Sequence, residues 1–139
     1  MFIRVMRWTY VSVAWIILAA VIVQFFLAGM GVFSGPSNFE AHASFGYTIS
    51  FVTLLELLVA FVARLPWRTI GLTALLPLLI GFQSLFIAFW HSGLPTLAAL
   101  HVINGLGIFA LSGYLALRSR TVLAATKAQA SMVPGVQAR

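Results

Sequence analysis

The sequence predicts an all-α integral membrane protein, a four-helix up-down-up-down bundle with both termini in the cytoplasm. Composition points there first. Of 139 residues 62% are hydrophobic and only 7% charged, with a mean hydropathy of +1.07. Soluble domains carry about 25% charged residues. The chain also holds four apolar runs of the length a membrane-spanning helix needs, about 20 residues each. Finally, its basic residues are partitioned between alternate connecting segments. The net charge of +6 would suggest nucleic acid in a soluble chain. Here the charges sit where membrane topology puts them, so no nucleic-acid partner is expected, and the lipid bilayer is the first partner.

The first run is Thr9 to Gly29. Arg4 and Arg7 before it resemble the basic start of a signal peptide. The apolar stretch exceeds the roughly 7–15 residues of such a signal, and no A-x-A site follows, so the run reads as a retained helix. The second run is Ala41 to Ala63, interrupted by Glu56. The third is Ile70 to Trp90 and the fourth Leu97 to Leu117. Residues 1–120 therefore form the transmembrane domain, and residues 121–139 a cytoplasmic tail. The segment after Arg120 is expected to prolong the last helix by a turn or two, until Pro134 and Gly135 end it.

Connections and orientation follow. RLPWRT, between the second and third runs, and HSGLPT, between the third and fourth, are short and imply antiparallel hairpins. GMGVFSGPSNFE, after the first run, is longer and could fold as a small lid. Arg4, Arg7, Arg64, Arg68, Arg118, Arg120, Lys127 and Arg139 all fall on one side of the predicted topology, and the loops at 30–40 and 91–96 have no basic residue. The positive-inside rule makes the basic side cytoplasmic. Trp8, Trp67 and Trp90 fall at predicted interfaces, as an aromatic belt requires. A bacterial cell membrane is the expected location.

Two of the three histidines carry one pattern, HASFG at His42–Gly46 and HVING at His101–Gly105. Both lie at the outer ends of helices that run in the same direction and are diagonal in the bundle. Residues four apart share a helix face, so Gly46 and Gly105 each sit one turn inward from a histidine. Two imidazoles from facing helices, each with a small residue beside it, suit a six-coordinate haem b. Copper or zinc could also use two histidines, but these metals usually take a third protein ligand. The remaining candidate, His91, follows Trp90 at the membrane boundary and reads as a headgroup or propionate contact. Gln83 could face the haem, and Tyr47 and Asn104 could donate to its propionates. No outer arginine is available for that purpose. The plain alternative is that both histidines are interfacial groups and both glycines are packing positions. With no cysteine in the chain, thiolate metal sites, disulfides and covalent haem attachment are excluded.

Glu56 lies fourteen residues after His42. At about 100° per residue it returns to nearly the same face, roughly 21 Å deeper. It should point inward, as a proton-handling carboxyl, an arginine partner, or a protonated group bonded to a neighbouring helix. Gln24 and Gln83 read as interhelical hydrogen-bonding residues. Glu40 or Asn38 could take the second ring nitrogen of His42, or cap the helix that follows.

The layout resembles one four-helix half of a haem A synthase. Such a half has a histidine at the outer end of its second helix and another in its fourth, matched here by His42 and His101. Gln83 stands where the family tends to carry a glutamine. The likeness spans Thr9 to Leu117. Departures are visible: Glu40 stands two rather than three residues before the histidine, Ala43 rather than arginine follows it, and the outer loop has no cysteine pair. The chain is similar, too, to small bacterial four-helix proteins related to these halves. The resemblance implies a small membrane cytochrome b with one haem b near the outer face. Its redox partner would be a quinol, an outer-face donor or a larger membrane complex. The alternatives are a homodimeric haem-modifying enzyme assembled from two such halves and a cofactor-free accessory subunit.

Overall fold

The computed structural model describes residues 1–131, with side chains described as far as Ala124. Pro134, Gly135 and Arg139, and the side chain of Lys127, lie outside the described residues. Four long helices form: α1 (Phe2–Phe33), α2 (Phe39–Val62), α3 (Trp67–His91) and α5 (Leu100–Ser131). A 3₁₀ turn at Pro36–Asn38 links the first pair, and the one-turn helix α4 (Pro95–Ala98) links the second. No strand occurs among the described residues. All four long helices are long and apolar enough to cross a membrane, the makeup of a multi-pass membrane protein.

The helices outrun the apolar runs that announce them. α1 and α5 have 32 residues each, about 48 Å at 1.5 Å per residue, against a hydrocarbon layer of about 30 Å. The expected lid at 30–40 does not form. α1 continues to Phe33, leaving only Ser34 and Gly35 before the 3₁₀ turn. The hairpin closes tightly there: a Cβ on Gly31 would stand 2.6 Å from the Phe39 ring. At the other end, α5 runs past Arg120 to Ser131, so part of the segment expected as a tail is helical.

Two helix ends share one construction. At the end of α3, Leu94 N–H donates to Phe89 O and Gly93 N–H to Trp90 O, with Gly93 at φ +76°. This is a Schellman motif, in which the left-handed residue is usually glycine. At the end of α2, Leu65 N–H donates to Ala60 O and Arg64 N–H to Phe61 O. Here the left-handed residue is Arg64, at φ +52°, a conformation that costs a non-glycine residue about 1 kcal/mol or more. Pro66 then stands at the N-cap of α3, which starts at Trp67.

The interior mixes polar with apolar side chains, and the exterior is apolar. Thr53, Glu56, Thr69, Thr73, Ser112 and Ser119 are buried, whereas Phe51, Leu58, Val102 and Leu106 are more than half exposed. Between membrane helices, association comes from close packing and interhelical hydrogen bonds, because lipid already solvates the leucines. Tyr10 on α1 makes one such bond, its hydroxyl 2.9 Å from Thr73 Oγ1 on α3.

The two hairpins are copies of one pattern. Gln24 and Gln83, His42 and His101, and Gly46 and Gly105 are all 59 positions apart (83 − 24, 101 − 42, 105 − 46). Trp8 and Trp67, and Pro36 and Pro95, keep the same offset. Burial obeys it as well. Val11 and Ile70, Ala14 and Thr73, Ile17 and Leu76, Ile49 and Ile108, Thr53 and Ser112, and Ala60 and Ser119 are buried in pairs. Packing follows: α1 lies on α2 as α3 lies on α5, and α1 lies on α5 as α3 lies on α2. The bundle is thus a parallel repeat, with a pseudo-two-fold axis running along the helices. α2 and α5 face each other diagonally across it. One end of the bundle carries the histidines. The other gathers Arg7, Arg64 and Arg118 around a single cleft.

Candidate functional site

The repeat brings His42 and His101 together across the axis. Their ring centroids are 6.1 Å apart, with planes inclined at 55°. Both rings are half-buried, and each is fixed by its own hairpin. His42 Nδ1 lies 3.1 Å from Gln24 O on α1, and His101 Nδ1 lies 3.3 Å from Gln83 O on α3. A carbonyl can only accept, so in both bonds Nδ1–H is the donor. That fixes the tautomer with the lone pair on Nε2, and neither Nε2 has a hydrogen-bond partner. The carbonyls take the role expected of Glu40 or Asn38. Asn38 Nδ2 instead donates to Gly35 O, and neither residue caps α2 with its side chain.

The glycines stand beside the histidines, and glutamine side chains occupy the space they leave. A Cβ on Gly46 would meet Gln24 Nε2 at 2.9 Å, and one on Gly105 would meet Gln83 Nε2 at 3.4 Å. Gln24 Nε2 donates to His42 O at 2.7 Å. Gln83 Oε1 accepts from Asn104 Nδ2 at 2.9 Å, and Asn104 Nδ2 also lies 2.7 Å from Leu79 O. Gln24 Oε1 is buried without a partner. The amides thus tie α1 to α2 and α3 to α5 at the level of the histidines.

Other candidate residues stay apart. Tyr47 is 71% exposed on the outer surface of α2. His91 is exposed at the end of α3. No group of three His, Cys, Asp or Glu side chains able to hold a metal occurs among the described residues. Gln24, read from the sequence as an interhelical hydrogen-bonding residue, makes that bond from α1 to α2; what the reading did not assign is its place beside His42. Its signal was available in the equal spacing of Gln, His and Gly in the two hairpins.

Glu56 points into the bundle and is 0% exposed. The expected bond to a neighbouring helix or arginine is missing, and neither carboxyl oxygen has a partner. Its counterpart in the second hairpin is the buried Leu115.

The separation of the two rings, 6.1 Å between centroids, matches that of two imidazoles that would share one metal ion. Metal–nitrogen bonds of about 2 Å, with about 1.1 Å from nitrogen to ring centre, put such ring centres about 6 Å apart. For a macrocycle between the rings, the Gln24 and Gln83 amides are the groups that would have to turn away from the glycines.

Fold and site together define a four-helix membrane bundle with a symmetric pair of imidazoles near one end. Residues 24–89 are similar to a family described as a family of unknown function, DUF6220. The matched stretch is a little under half the chain. It contains Gln24, His42, Gly46 and Gln83 and ends before His101 and Gly105. No curated protein and no solved structure matches the chain.

Proposed function

We propose that the chain is a small membrane cytochrome b, with one haem b held between His42 and His101 for electron transfer. The observation that carries the reading is the matched pair: two imidazoles 6.1 Å apart, each with Nδ1 engaged by a glutamine carbonyl and Nε2 free to ligate. Acceptors that hold the other ring N–H in this way orient a ligating histidine and raise its basicity. The resemblance to one half of a haem A synthase supports the same reading. Bound there, haem b would supply a one-electron couple. The chain would supply two neutral ligands, an apolar surround and, in Asn104, a positioning hydrogen bond to Gln83. By the positive-inside rule the arginine end and both termini face the cytoplasm of a bacterial cell. The histidines then lie near the outer face, where a quinol, an outer-face donor or a larger membrane complex would exchange electrons.

One observation favours a second reading, a cofactor-free accessory bundle: the glutamine amides already occupy the spaces beside Gly46 and Gly105. A visible spectrum of detergent-purified protein, reduced minus oxidised, separates the two. The cytochrome reading expects a sharp α-band of the b type, lost in both His42→Ala and His101→Ala. Folded protein that is colourless and takes up no added haem overturns it and leaves the accessory bundle.

A further inference from the structure

We propose that the arginine end carries a binding site for a phosphate-bearing anion, of the kind an anionic phospholipid headgroup presents. A cleft of about 420 Å3 opens there between the start of α1, the α2–α3 turn and the second half of α5. That volume lies within the roughly 300–1,000 Å3 of small-molecule sites. Arg7, Arg64 and Arg118 line it, one from each of these three segments.

The backbone adds to the positive field. Trp67 and Thr69, in the first turn of α3, line the same cleft. The residue before that helix is Pro66, and no side chain caps it. Thr69 and Ile70 N–H reach Pro66 O, but the N–H groups of Trp67 and Arg68 have no acceptor among the described residues. Open N–H groups at the positive end of a helix dipole are a setting for phosphate.

None of the residues lining this cleft is acidic, and Arg7 donates Nε–H to the backbone carbonyl of Ala63 at 3.4 Å. The chain has two acidic residues. Glu40 is at the start of α2, near the histidines, and Glu56 is buried with both oxygens unpartnered. Arg118 reaches the neutral Tyr114 hydroxyl, at 3.1 Å, and the Arg64 guanidinium makes no hydrogen bond among the described residues. Arg64 also occupies the left-handed position that glycine would fill without strain. Strained residues gather at binding sites, where the side chain is worth the backbone cost. Trp67, 78% exposed at the start of α3, is of the residue type enriched where membrane helices meet headgroups.

The test is a melting curve of the full chain in uncharged detergent, against added phosphatidylglycerol, phosphatidylcholine or sodium phosphate at matched ionic strength. Phosphatidylglycerol should raise the melting temperature saturably and phosphatidylcholine should not. Arg64→Asn, which keeps a residue tolerant of the left-handed backbone, and Arg118→Gln should each weaken the half-saturation point about fivefold. Arg4→Gln, outside the cleft, should leave it unchanged. Sodium phosphate acting at the same concentration as the lipid would sustain the anion site and assign it to a soluble source. No shift with any phosphate-bearing probe would overturn the proposal. So would an Arg4→Gln effect equal to that of Arg64→Asn, because the response would then be diffuse charge. If Arg118→Gln does not fold, Arg64→Asn alone decides, since Arg64 is exposed and its side chain makes no internal hydrogen bond.

Discussion

The hairpin α1–α2 and the hairpin α3–α5 agree where they meet the axis and disagree one level below it. At the histidines the same three residue types recur, with the same Nδ1-to-carbonyl bond on each side. Deeper in the core the first hairpin has Tyr10 and Glu56 where the second has Thr69 and Leu115, all four buried. Near the histidines the first hairpin has Phe45 where the second has Asn104. Symmetry is therefore kept where two halves must present equal groups to one point. It is dropped where a single group suffices. The difference locates the shared site on the axis, and it marks Glu56 as a feature of one hairpin only.

Substitutions that make the hairpins more or less alike test this. The largest effect expected is from Leu115→Glu, which gives the second hairpin its own buried carboxyl. It should destabilise by about 3 kcal/mol, seen as a large drop in melting temperature in detergent. Glu56→Leu makes the cores alike in the opposite sense and removes a buried group with no partner. It should stabilise the fold by about 1–2 kcal/mol; a loss of stability instead would mean that the carboxyl has a partner in the membrane. Gly46→Ala should cost about 1–2 kcal/mol by overpacking, since the Gln24 amide it meets at 2.9 Å is anchored to His42 O. Gly105→Ala, with 3.4 Å available, should cost less than half as much, and equal costs would show that the two glutamines are equally free to move. The smallest effect is that of Tyr10→Phe. It deletes one interhelical bond, worth about 0.6 kcal/mol on average, and Thr73 keeps its bond to Thr69 O.

The four spans were legible because each is an apolar run long enough to cross a bilayer, a property read directly from residue order. The ends were not. Gly31, Val32 and Phe33 read as loop residues, yet α1 continues through all three, because a backbone in apolar surroundings satisfies its own hydrogen bonds by staying helical. The histidine pairing was legible through sidedness and helix alternation. Which group would hold each ring was not, because Nδ1 bonds to a backbone carbonyl on the preceding helix, and any residue type can supply one. Glu56 was correctly turned inward by its spacing from His42. The absence of a partner was beyond reach, since it depends on which side chains of three other helices arrive at its level.

The offset of 59 positions makes the chain in effect a tethered pair of related hairpins, and this bears on its descent and its engineering. Either hairpin expressed alone would have to build the bundle by pairing with a second copy of itself. Two copies of α1–α2 would set one Glu56 near the other, both in a dry interior. Two copies of α3–α5 would bring leucine to the same place while still presenting one histidine from each copy. The second hairpin is thus the half equipped to stand as a homodimer, and the tether is what allows the first to carry an acid.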